Sequence, residues 1–90
     1  MTEITVTVPN KLGIHARPAA LIVRAAVEYD SEVWISNGDE KVNAKSIMGV
    51  MTLAASGGTS VVVTASGEDQ SEAAEAVADV IRSGFGEEML

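Results

Sequence analysis

His15 is the only histidine in the chain, and the one side chain whose protonation changes naturally near neutral pH. It stands directly before an alanine-rich stretch, Ala16–Val27, whose apolar residues Ala19, Ile22, Val23 and Ala26 recur at helical spacing. Pro18 falls in the first turn, where a missing N–H costs nothing. A helix start carries partial positive charge and unpaired N–H groups. That field disfavours imidazolium and favours a neutral, nucleophilic ring. If the ring accepts a phosphoryl group, the same N–H groups can bind its oxygens, and Arg17 adds a guanidinium fork suited to phosphate. Gly13 is read as a flexible point that lets the ring swing between partners. No acid occurs from Ile4 to Val27, so the expected surroundings of the ring are acid-free. The plain alternative is a histidine that caps its helix and does nothing more.

Ser46 opens a second apolar piece, Ile47–Leu53, and reads as its N-cap. Ile47, Met48 and Met51 fit either a buried stripe or an exposed surface. A short helix that is apolar nearly all round cannot bury every side chain in a small two-layer domain, and methionines adapt to several partners. The chain has 90 residues and a net charge of −7, with its acids gathered in Glu28–Glu40 and Glu68–Glu88. That length is one domain, residues 1–90. The charge makes nucleic acid a poor partner. No apolar run approaches the ~18 residues of a membrane span, and the first residues do not read as a signal peptide. The absence of cysteine excludes disulfides and thiol chemistry and fits a reducing compartment such as the cytoplasm. One histidine and no cysteine give no metal-ligand set, so neither a metal nor another cofactor is expected.

The elements that must position these residues are short and regular. Ile4, Val6 and Val8 alternate with threonines as a half-buried strand. Glu32–Ser36 is a second strand, with Trp34 on the opposite face from Val33 and Ile35; Asn37-Gly38 turns it into a return strand, Lys41–Asn43. After Gly57-Gly58 a valine-rich strand runs over Ser60–Ala65. Asp69 with Glu72 resembles a capping box opening a long helix, whose buried stripe is Ala73, Ala74, Val77, Val80 and Ile81. Ser83-Gly84 ends that helix, and the tail Phe85–Leu90 is expected to fray. The order is β-α-β-β-α-β-α, an α+β fold with helices on one sheet face.

Two segments resemble a known family. Gly13-Ile14-His15-Ala16-Arg17-Pro18-Ala19 is similar to the active-site signature of the histidine-containing phosphocarrier family, HPr, of the bacterial phosphoenolpyruvate:sugar phosphotransferase system. Lys45-Ser46-Ile47-Met48-Gly49-Val50-Met51 is similar to its second signature, around a regulatory serine. Their separation and the chain length also match. The resemblance implies an open-faced β-sandwich with four antiparallel strands in the order 1-4-2-3 backed by three helices. It implies that enzyme I phosphorylates His15 on Nδ1, that Arg17 contacts the phosphate, and that the carrier delivers the group to IIA domains of sugar permeases as a monomer, without being a complete enzyme. It implies phosphorylation of Ser46 by a dedicated kinase where the organism has one, an HPr kinase/phosphorylase, with a catabolite-control transcription regulator as the receptor. It places Ala20, Arg24, Ile47, Met48 and Met51 in a docking patch around the histidine. Ala54 departs from the glycine that many members carry there.

Two other readings compete. A regulatory binding module would act mainly through Ser46, or as a nitrogen-related paralogue that keeps the histidine. Relatives with only the Ser46 role lack the active histidine, and His15 is present. A self-contained enzyme would need paired carboxylates, a phosphate loop or a metal motif, and the sequence offers none near His15.

Overall fold

The computed structural model describes residues 1–90. The chain runs β1 (Thr2–Thr7), α1 (Ala16–Ala26), β2 (Glu32–Asn37), β3 (Glu40–Asn43), α2 (Ile47–Leu53), β4 (Ser60–Ser66) and α3 (Gln70–Arg82), then a short turn at Gly84–Gly86. The four strands form one antiparallel sheet in the order β1-β4-β2-β3, the expected open-faced sandwich. Strand alternation builds its inner face: Val6 pairs with Val61, Ile4 with Val63, and Val63 with Ile35. The three helices cover that face with Ala19, Ile22 and Ala26 from α1, Val50 and Leu53 from α2, and Ala73, Ala74, Val77 and Ile81 from α3. Each fully buried valine or isoleucine contributes roughly 1.5–3 kcal/mol. The fully buried alanines carry only a methyl group, which lets the helices approach the sheet closely. Trp34 lies on the open face as expected, half-buried, with Lys41 Nζ 4.7 Å from its ring centroid.

Four local expectations are corrected. Asn37 pairs with Glu40 inside the ladder, so the hairpin turn is Gly38-Asp39, with Gly38 alone supplying a positive φ of 63°. Val80 is only half-buried, and Ala78 joins the buried stripe of α3. Asp69 stands at the start of α3, but its carboxylate makes no capping bond. It accepts instead from the Ser31 hydroxyl and from the N–H groups of Asp30 and Ser31, each 2.9 Å away. These donors, the Ser31 hydroxyl foremost, hold the Asp69 carboxyl below its usual range.

The tail is the fourth correction, because it docks. Gly84, Phe85 and Gly86 take φ values of 71°, 61° and 72°, a left-handed turn that reverses the chain. Phe85 is 3% exposed and anchors the turn in the core. The returning strand pairs with the loop after β1: Met89 bridges Asn10, the Lys11 N–H donates to the Glu88 carbonyl at 2.9 Å, and the Leu90 N–H donates to the Pro9 carbonyl at 2.9 Å. Burial of one aromatic ring together with these paired backbone groups offsets the entropy of ordering six residues.

Candidate functional site

His15 is the N-cap residue of α1, with an extended φ of −114°, and its side chain makes no capping hydrogen bond. The ring is therefore free for other work. Behind it, the Ala19 N–H donates to the His15 carbonyl at 2.9 Å, while the N–H groups of Ala16 and Arg17 meet no backbone acceptor. Two donors at the positive end of an 11-residue helix thus stand open beside the imidazole.

The loop before the ring is pinned, which corrects the reading of Gly13 as a flexible point. Gly13 is buried at φ 71°, and a Cβ there would lie 2.7 Å from Ser56 Cα. The Ile14 N–H donates to the Ala55 carbonyl at 2.8 Å, and Asn10 Nδ2 donates to the Gly13 carbonyl at 2.9 Å. Glycine is needed here for close backbone approach.

The surroundings of the ring are not acid-free. Glu87, delivered by the docked tail, places Oε2 2.8 Å and Oε1 3.1 Å from His15 Nε2. Oε1 also accepts from Asn10 Nδ2 at 2.9 Å. Arg17 Nη1 donates to the Phe85 carbonyl at 2.7 Å and lies 3.6 Å from Glu87 Oε2. Side-chain exposure falls from 60% at Arg17 and 42% at His15 to 14% at Glu87, so the carboxylate sits beneath the two side chains it faces. The bond to His15, foremost, holds the Glu87 carboxyl below its usual range; the Asn10 bond and the charges of His15 and Arg17 act in the same direction, while desolvation opposes them. Both ring contacts fall on Nε2, which leaves Nδ1 unengaged. The only sequence signal for this acid was the Gly-Phe-Gly run, whose two glycines flank an apolar anchor.

The other residues singled out in the sequence divide into two groups. Arg17, half-buried Ala20 and exposed Arg24 follow at intervals of three and four residues, on one face of α1. α2 packs beside α1 and α3 beside both α1 and the sheet. Ile47, Met48 and Met51 of α2 are 45%, 75% and 40% exposed, while Leu53 is core at 2%. Ser46 caps α2: its Oγ accepts from the Gly49 N–H at 3.0 Å, and no hydrogen bond joins it to His15. Gly49 is tolerated inside this helix because a Cβ would lie only 3.3 Å from Ser46 Oγ. No helix is long and apolar enough to cross a membrane.

The comparisons with known proteins identify the family of the chain. Residues 2–83 match the family described as "PTS HPr component phosphorylation site". The Phosphocarrier protein HPr of Neisseria meningitidis serogroup A is 42% identical over 87 residues, covering 97% of this chain and 98% of that protein. The HPr-like protein Crh of Bacillus subtilis is 48% identical over 82 residues, covering 91% and 96%. A crystal structure of HPr-C-His from Thermoanaerobacter tengcongensis superposes with a TM-score of 0.92 at 49% identity, covering 99% of this chain and 100% of the other. The chain belongs to the HPr phosphocarrier family of the phosphotransferase system, whose members carry a phosphoryl group and are not enzymes.

Proposed function

We propose that this HPr-family chain relays a phosphoryl group through His15 in the course of sugar uptake. The donor is phosphorylated enzyme I and the acceptors are IIA domains of sugar permeases. The observation that carries this reading is the unengaged Nδ1 of His15 beside the two open N–H groups of Ala16 and Arg17. In the accepting step the Nδ1 lone pair forms a bond to phosphorus while the bond from phosphorus to the donor breaks, its electron pair staying with the donor. The dianionic oxygens then meet the helix start and the Arg17 guanidinium, which rotates from its contact with the Phe85 carbonyl. The exposed Ile47, Met48 and Met51, with Ala20 and Arg24, form the docking patch for both partners. In this reading the working form is a monomer and the relay takes place in the cytoplasm.

Ser46 serves as the regulatory position. A phosphate on its Oγ is favoured by the N-terminus of α2 and leaves the fold intact, while placing negative charge beside the docking patch. That charge opposes an acidic donor protein and attracts a basic receptor such as a catabolite-control transcription regulator. The similarity to Crh favours a second reading, a chain that acts mainly as a regulatory module through Ser46. The presence of His15 in its open setting weighs against this as the sole role.

The deciding experiment is incubation with enzyme I and labelled phosphoenolpyruvate, comparing the native chain with His15→Ala. Acid-labile label that disappears in the variant supports the relay. Label that persists in the variant overturns it. For Ser46, incubation with ATP and an HPr kinase/phosphorylase yields an acid-stable phosphate in the native chain and none in Ser46→Ala.

A further inference from the structure

We infer that Glu87 is a positioning residue for phosphoryl transfer: it holds the proton on Nε2 of His15 and so leaves Nδ1 as the nucleophile. The inference rests on the relay reading above and deepens it. Asn10 is fully buried, and its Nδ2 spends its hydrogens on two acceptors, the Gly13 carbonyl and Glu87 Oε1. That pairing fixes the amide orientation and anchors one carboxylate oxygen. The other oxygen faces His15 Nε2 at 2.8 Å. A carboxylate only accepts, so Nε2 must carry the hydrogen and the neutral ring has its lone pair on Nδ1. The backbone pairing of Glu88 and Leu90 with Lys11 and Pro9, and the buried ring of Phe85, hold Glu87 in place from both sides.

The same proton serves both directions of the relay. When Nδ1 bonds to phosphorus and the donor's bond to phosphorus breaks, the ring gains positive charge with its Nε2 proton still in place. Glu87 neutralises that charge. When the group moves on, the Nδ1–P bond breaks and its electron pair returns to Nδ1. The ring then departs as neutral imidazole, because Nε2 has kept its proton. Without that proton the leaving group would be an imidazolate, a far poorer one. No additional acid or base is required.

Two substitutions separate this role from a merely structural strap. In Glu87→Gln the amide oxygen satisfies Asn10 Nδ2, and the amide nitrogen, now facing Nε2, donates to it. The preferred tautomer then inverts to Nδ1–H, and the nucleophile is lost. In Glu87→Ala the partner is simply removed and both tautomers are populated. The expected order of phosphorylation rate by enzyme I is native, then Glu87→Ala, then Glu87→Gln, the last about tenfold below native, a ratio that one neutral hydrogen bond supports. Nitrogen-15 NMR of the His15 ring, recorded on the free protein above the pH of ring titration, should show Nε2–H in the native chain and a shift toward Nδ1–H in Glu87→Gln. A strap without a tautomer role predicts the reverse order, with the near-isosteric glutamine harmless and alanine worse. The inference is overturned by a native ring protonated on Nδ1, by an unchanged tautomer in Glu87→Gln, or by a rate for Glu87→Gln equal to or above that of Glu87→Ala. The ring spectrum needs no partner protein, so it decides the tautomer even if the native chain takes no label, an outcome that would instead sink the relay reading.

Discussion

Replacing Ala54 by glycine should make the protein more stable. Ala54 ends α2 at φ 50° and ψ 37°, the left-handed region, with its N–H donating to the Met51 carbonyl at 3.2 Å. For an L-residue with a Cβ this conformation costs roughly 1–2 kcal/mol. Ala54 is exposed, so removing its methyl forfeits no burial. Glycine adds freedom to the unfolded chain, worth about 0.4–1 kcal/mol in the opposite sense. The balance is a gain of about 0.5–1 kcal/mol. A chain of 90 residues unfolds with an entropy of about 0.2 kcal/mol per kelvin, so the melting temperature should rise by about 3–5 °C. Calorimetry and urea unfolding measure this, with a higher urea midpoint and an unchanged m-value. Phe85→Gly is the control, since Phe85 shares the positive φ, 61°, but is buried. There the lost ring dominates and stability should fall by about 3 kcal/mol or more. An unchanged or lower melting temperature for Ala54→Gly would refute the strain argument.

Other substitutions test the remaining local devices. Ser46→Ala removes the bond to the Gly49 N–H and should cost about 1 kcal/mol, or about 5 °C in melting temperature, while label uptake from enzyme I by the free variant stays at the native level. Gly13→Ala forces a methyl against the Ala55–Ser56 backbone at φ 71° and should cost at least about 2 kcal/mol by urea unfolding, with a displaced His15 loop visible in amide chemical shifts. Asp69→Asn tests the tie between α3 and the entrance to β2. The Asp69 pKa is depressed in the folded state, so its contribution is present above the unfolded carboxylate value of 3.8 and is lost as pH falls through the folded value. The urea-midpoint gap between native chain and variant should therefore be full at about pH 6 and close below pH 3.8. A gap that persists at low pH would rule out the charged carboxylate as its source.

The distinction between what could and could not be read from the sequence follows the range of each interaction. Ser46 and Gly49 lie three residues apart, so the cap is a local fact and the sequence carries it. The alternation of Ile4, Val6 and Val8 likewise shows one buried strand face without knowledge of its partner. The sheet order 1-4-2-3 is different, since alternation is the same in any order; it came from the family resemblance and not from the strands themselves. Asp69 shows the limit most clearly. Its spacing to Glu72 suggests a cap, but Ser31, 38 residues away, outcompetes the helix for its carboxylate. Gly13 gives the same lesson for conformation, because a glycine that loosens a loop and one that admits a neighbouring backbone look identical in sequence.

Glu87 completes that argument at the site itself. An acid-free stretch from Ile4 to Val27 describes the neighbourhood of His15 along the chain, and the ring responds to its neighbourhood in space. The carboxylate arrives from 72 residues away, through a left-handed turn that depends on two glycines and one buried phenylalanine. Its presence adds a second influence to the helix start read from the sequence: a carboxylate faces Nε2 of the ring. The two influences act on different atoms. The open N–H groups of Ala16 and Arg17 are available to the oxygens of an incoming anion, while Glu87 engages only Nε2. A ring held between an anion receptor and a carboxylate can take up a phosphoryl group on one nitrogen and keep its proton on the other. That division of labour requires both the helix start, which the sequence displays, and the docked tail, which only the folded chain reveals.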